Sequence, residues 1–245
     1  MAEPKELVDR LEQGAELPSG SEERFAGYGV MGVPFASGDL LAMRRFPASS
    51  LGQDYTSVWH CDPQGRWTFY SDVPPQLACS RYFGSAVSEA VVRKIEITWS
   101  GPRDFTVLIE EDPGLEWHLS LTKTLATNLI NAVGSVLPDP LWHKAAVLKP
   151  MEKAASLMLG TGRLGLTGRA PNHQRFIANP LLIWAIQSST ARMGNQDLGS
   201  VEPLPVQTRL GDFWIPQRGV FAIGRAFFEP LDPARHALTT ATSSE

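Results

Sequence analysis

Alternation of apolar and polar positions is the clearest pattern in this chain. Residues 55–61 and 67–72 alternate on either side of Asp62-Pro63-Gln64-Gly65. That tetrad suits a type I turn followed by a left-handed glycine, the common three-residue hairpin loop. The loop pairs Cys61 with Trp67, His60 with Thr68, Trp59 with Phe69 and Val58 with Tyr70. Side chains alternate across a strand, so the two faces separate. Trp59, Cys61, Trp67 and Phe69 form one face, too aromatic to leave wet. Val58, His60, Thr68, Tyr70 and Asp72 form the other, which suits either a solvated sheet face or a pocket lining.

The same period continues beyond the hairpin. Residues 40–46 predict a strand beside it, residues 91–99 one long strand, and 105–110 and 115–122 two more, with turns at Ser100-Gly101-Pro102 and Asp112-Pro113-Gly114. The period then changes. Leu125, Leu129, Val133 and Leu137 recur at i+4, predicting a helix over 124–137. A second helix is predicted over 150–159, with Pro150 in its first turn, Met151, Ala154, Ala155 and Met158 inward and Gly160 as its stop. These helices could cap the sheet or act as a lid, with the methionines as adaptable core. Strands return at 162–168, along 182–192 and at 220–228. The last is apolar on both faces apart from Arg225, as expected of a central strand or one facing a hydrophobic cavity.

A short amphipathic helix is expected over 4–13, stopped by Gly14, followed by a linker to residue 24. The run from Phe25 contains Gly27, Gly29 and Gly32, spaced as GxGxxG. A dinucleotide loop needs a preceding strand and a following helix. No apolar strand precedes this run and Pro34 interrupts any helix, so that role is excluded. The division expected is residues 1–24 as helix and linker, 25–230 as one β-rich domain with the helical insert at 124–159, and 231–245 as a disordered tail. The fold class is mainly β (α+β), an antiparallel barrel.

Composition adds exclusions. The 245 residues are 43% hydrophobic and 20% charged, with a net charge of −4. That balance argues against a nucleic-acid partner and against an anionic membrane surface. Cys61 and Cys79 show no metal-ligand spacing and read as reduced, buried thiols of a cytoplasmic protein. The N-terminus has no basic and apolar signal regions. No cofactor or metal is expected, and a homodimer is compatible with the composition.

Nucleophile elbows, Walker loops and zinc motifs are absent from the sequence. His60, Tyr70 and Asp72 on one hairpin face have the residue types for acid/base work. Arg218, in the Gly- and Pro-framed segment 211–219, is a candidate to orient a substrate, or to form a structural ion pair with Asp212. His118, Trp184, Phe221 and Arg225 are candidates to line a pocket. Asn172 and His173 read as turn formers.

Gly65-Arg66-Trp67-Thr68-Phe69, the segment Gly114-Leu115-Glu116-Trp117-His118-Leu119-Ser120-Leu121-Thr122, and Gly162-Arg163-Leu164-Gly165-Leu166-Thr167-Gly168 followed by a turn and Gln174-Arg175-Phe176 carry a resemblance. It is to the lipocalin-like proteins of the AttH and carotenoid hydratase (hydroxyneurosporene synthase) group, over residues 40–122 and 160–230. The resemblance implies a lipocalin-like antiparallel barrel with an apolar pocket for terpenoid, polyketide or fatty ligands. Family members usually carry two barrels on a longer chain and lack the helical insert. An acetoacetate-decarboxylase-like barrel has a similar size and would need a catalytic lysine, for which Lys94 is the candidate. Three functions follow as alternatives: a binder of a small hydrophobic molecule, an isomerase, cyclase or hydro-lyase acting on one, or an interaction protein without a pocket.

Overall fold

The computed structural model describes residues 2–237. In chain order they form α1 (Pro4–Gly14), β1 (Glu23–Pro34), β2 (Leu40–Ser49), β3 (Tyr55–Cys61), β4 (Trp67–Ser71), α2 (Ser80–Phe83), β5 (Glu89–Val92), β6 (Glu96–Trp99), β7 (Asp104–Ile109) and β8 (Leu115–Thr122). Then come α3 (Leu125–Ser135), α4 (Ala145–Leu159), β9 (Thr167–Arg169), β10 (Arg175–Met193), β11 (Gln196–Asp197), β12 (Arg209–Leu210), β13 (Phe213–Trp214) and β14 (Val220–Phe228). One sheet runs β5-β4-β3-β2-β1-β14-β10-β8-β7-β6, with β9 and β11 added to β10.

The hairpin forms in the expected register, with Cys61 opposite Trp67 and Val58 opposite Tyr70. Gly65 takes φ 80°. Asp62 secures the loop by accepting the backbone N–H groups of Gln64 and Arg66, each at 2.9 Å.

Two expectations about the sheet need correction. Residues 91–99 are two strands rather than one, and they form opposite edges of the sheet. Only residues 93–95 separate β5 from β6, a span of at most about 14 Å. The sheet is therefore curled so that its edges approach, forming a half-barrel. It is not a closed antiparallel barrel, because β5 pairs with β4 in parallel and not with β6. The cause is the segment 72–88, where Pro74, Pro75 and α2 carry the chain across the sheet before β5 returns along β4. A parallel pairing needs a crossover of that kind.

The second correction concerns β1, which the glycines had hidden. A Cβ at Gly27 would lie 2.0 Å from the carbonyl oxygen of Arg45, and one at Gly29 would lie 2.2 Å from that of Met43. The GxG spacing permits close backbone approach within a sheet.

Curling gives the sheet two unlike faces. One encloses a packed core that draws on both halves of the sheet. Tyr28, Val58 and Tyr70 meet Val107, Trp117, Trp184 and Phe221 there. The other face carries Phe25, Trp59, Phe69 and Phe228, packed with Tyr82 and Phe83 of α2 and with Phe213. Beside them lie Ile183, Val220 and Ala222 under Ile130 and Leu159 of the helical insert.

The insert lies over this second face. α4 begins at Ala145, earlier than expected, and holds Pro150 in its interior, while Gly160 ends it in the left-handed conformation at φ 61°. α3 does not dock by its apolar stripe. Leu125, Leu129 and Val133 are 91%, 56% and 51% exposed. Its buried contacts are Thr127 and Asn131. The Asn131 side chain donates to the Ile183 carbonyl (2.9 Å) and accepts the Ile183 N–H (2.8 Å). Ile183 lies on the stretch of β10 between the residues paired with β9 and those paired with β8. Asn131 thus satisfies backbone groups there.

Beyond β14 the described chain runs to residue 237, mostly exposed apart from His236. His236 is buried and bonded to Glu229 at 2.6 Å. The rest of the expected disordered tail lies outside the described residues.

Candidate functional site

Between the second face of the sheet and the helical insert lies a cavity of about 350 Å³. Its floor is β1, β2, β3, β10 and β14; its roof is α3, α4 and residues 164–166; α2 and β13 close one side. The lining is overwhelmingly apolar: Phe25, Phe46, Trp59 and Phe228 below, Ile130, Met151, Ala155 and Leu166 above. Met151 and Met158 are cavity walls rather than core filler. Leu129, Val133 and Met158 line the cavity while more than a third exposed, so an apolar margin leads to the surface.

Three strongly polar side chains interrupt this apolar lining, Asn179, Arg225 and, the more buried of the two cations, Arg44. Arg44 is 6% exposed. Alternation along β2 places it on the cavity face between Ala42 and Phe46, opposite Gly29 of β1. A side chain at Gly29 would press on the Arg44 stem, at 3.1 Å from Cδ. β1 shifts register between Val30 and Val33. The Arg44 guanidinium donates to the carbonyls freed nearby: Nη1 to Val30 and to Met43 (2.8 Å), Nη2 to Met31 (3.3 Å). It lies over the Trp59 ring at 4.7 Å and the Phe213 ring at 5.7 Å. No carboxylate among the described residues pairs with it. Burial pushes its pKa down to about 10; the nearby titratable side chains are Cys79 and Tyr55. Those two touch, oxygen to sulfur, at 3.4 Å. Burial raises the pKa of both and also that of Tyr82. All three therefore stay protonated at neutral pH.

α2 is held at the rim by a polar cluster. The Glu23 carboxylate accepts from Arg81 (2.6 Å), Tyr82 (2.6 Å) and Gln174 (3.3 Å). Burial would raise the Glu23 pKa, but hydrogen bonds from Arg81 and Tyr82 outweigh it, and the net shift is downward. Asn172 joins this cluster through Gln174 at 2.6 Å, and His173 holds φ 75° in the turn beside it.

The residues proposed from sequence scatter. His60 bonds Asp39 at 2.7 Å. Tyr70 is buried in the opposite core, and Asp72 accepts the Thr56 N–H at 2.8 Å. Arg218 is exposed beside Gly160, and it forms no ion pair with Asp212, whose carboxylate accepts the Arg169 N–H at 2.9 Å. His118 lies in a shallow groove with Thr106, bonded at 2.8 Å. Trp184 and Phe221 belong to the packed core of the first face. Arg225 lines the cavity and pairs with Asp139 at 3.6 Å. Lys94 is exposed beside Glu96, and no lysine lines the cavity among the described residues.

Sequence reasoning missed Arg44. Its signal was the Arg44-Arg45 pair, where a charge must occupy each face of a strand whose neighbours are apolar on both. The glycine opposite it was the second sign.

No protein-family model matches the chain, and no curated protein does. Among solved structures it is similar to acetoacetate decarboxylase from Legionella pneumophila, at 9% identity over 91% of this chain and 88% of that one, with a TM-score of 0.41. So loose a likeness assigns neither activity nor site.

Proposed function

We propose that this protein binds a small hydrophobic molecule in the cavity between the sheet and the helical insert. The observation that carries this reading is a space of about 350 Å³ walled by aromatic and aliphatic side chains with few polar groups. Ligand pockets have that size and character. The apolar margin at Leu129, Val133 and Met158 offers such a molecule a route in.

Binding accounts for the lining better than acid/base catalysis does. A general acid or base works best with a pKa near the working pH. Here Arg44 remains charged at neutral pH, and Tyr55, Tyr82 and Cys79 remain protonated.

The test is native mass spectrometry of the purified protein for a retained molecule, with titration of an environment-sensitive naphthyl probe. Ala155→Phe, which fills the roof side, should abolish probe binding with the fold retained by circular dichroism. Equal probe binding by the variant and the wild type would remove the cavity from the account.

A further inference from the structure

Arg44 poses a question that the apolar reading leaves open: why is a guanidinium there at all? Burying an unpaired charge is expensive. Part of the answer is structural, since Arg44 donates to the carbonyls of Val30, Met31 and Met43 beside the β1 register shift. Those carbonyls need donors, not a charge. Three of the five guanidinium N–H groups go to them. The charge itself is met only by the aromatic faces of Trp59 and Phe213. On the opposite face of the same strand, Arg45 has two carboxylates, Glu12 at 2.8 Å and Asp54 at 2.7 Å. The chain supplies carboxylates to Arg45 and, among the described residues, none to Arg44.

We infer that the counterion of Arg44 is the ligand, an amphipathic molecule whose carboxylate meets the guanidinium while its apolar body fills the cavity. This rests on the binding reading above and names its ligand class. A carboxylate carries one charge and two oxygens, which the N–H groups left on Arg44 and the Tyr55 hydroxyl can satisfy. A phosphate monoester brings close to two charges and three acceptor oxygens. The other cavity-lining cation, Arg225, already pairs with Asp139, so the lining holds no second free cation for that larger charge. The rings over Arg44 keep water from competing for the pair, which strengthens it.

The test compares two probes of the same chain length, dodecanoic acid and dodecanol, by displacement of the naphthyl probe from wild type and from Arg44→Gln. Glutamine can still donate to a carbonyl but carries no charge. Wild type should bind the acid about tenfold tighter than the alcohol or better, as one charge-assisted hydrogen bond implies. Arg44→Gln should bind both alike, losing the preference for the acid. Should the variant fail to fold, carboxyl-labelled dodecanoic acid bound to the wild type answers instead. Its carbon resonance should show the acid ionised at a pH where free acid is already protonated. Equal affinity of wild type for acid and alcohol, or a bound acid that protonates as the free one does, overturns the carboxylate assignment and leaves the cavity reading standing. Binding of neither probe overturns both.

Discussion

Arg44 and Arg45 are adjacent in β2 and point to opposite sides of one sheet. Arg45 reaches across Tyr28 to α1, where Glu12 accepts from both residues, at 2.9 Å from Tyr28 and 2.8 Å from Arg45. Arg44 turns the other way, into the cavity, and has only backbone carbonyls and ring faces. The same contrast separates the two faces as wholes. Trp117, Trp184 and Phe221 of the first face are 0% exposed and pack in one core with residues from both halves of the sheet. Under the helical insert the side chains stop short of one another and leave a volume. Both layers are rich in aromatic residues, so apolar character did not decide which would be hollow. The cover decided it. The first face is closed by its own sheet, whose strands are held at hydrogen-bonding distance. The second is closed by two helices, α3 held by Asn131 and Ile130 and α4 by Leu148, Leu159 and Glu152, which accepts the Leu166 N–H at 2.7 Å.

The sharpest way to break this comparison is a matched pair of truncations. Phe221→Ala, in the filled core, should cost about 3–5 kcal/mol in urea unfolding. Phe213→Ala, beside the cavity, should cost well under half as much, because that ring already lacks contacts on one side. Equal costs would show that the two faces are packed alike.

Next in size is the anchor. Asn131→Ala leaves the Ile183 N–H and carbonyl without their partner and should cost about 2–3 kcal/mol. It should also speed hydrogen exchange at Ile183 and weaken probe binding, because the roof loses one of its tethers. A loss of stability with probe affinity intact would detach the insert from the site.

Acid should act on the cavity through its rim. The Glu23 pKa is depressed in the folded state from an ordinary value of 4.5. Its contribution is therefore full above pH 4.5, and is lost as pH falls through the lower folded value. Probe release on acidification should accompany this loss, since Glu23 holds Tyr82 in the wall. Glu23→Gln should flatten the acid limb of a stability-against-pH curve; an unchanged limb would place the titration elsewhere.

The smallest effect belongs to the first face. Arg45→Met breaks part-exposed ion pairs to Glu12 and Asp54 and should cost less than about 1 kcal/mol, diminishing further in salt. Its probe affinity should equal that of wild type, in contrast to the acid selectivity lost with Arg44→Gln.

Much of the β architecture was legible beforehand. The 55–72 hairpin, the alternating strands of 105–122, the helices of the insert and the 182–192 part of β10 all follow from local periodicity and turn chemistry. The site was less so. His60, Tyr70 and Asp72 share a strand face, yet sharing a face does not bring side chains to a common point. Leu125, Leu129 and Val133 promised a docking stripe, while the helix docks through an asparagine that periodicity ignores. Gly27 and Gly29 resembled a loop because a strand that yields space to its neighbour has no side chains to announce it.

What the residues settled alone was local: where chain direction reverses, where the period is two and where it is nearer four, and which strands have an apolar side. Such features depend on neighbours a few positions away. The curl that brings the β5 and β6 edges together, the hollow under the helical insert, and the absence of a carboxylate paired with Arg44 among the described residues were decided by the tertiary structure. Each depends on pairings between distant segments, and a charge is unbalanced only with respect to everything folded around it.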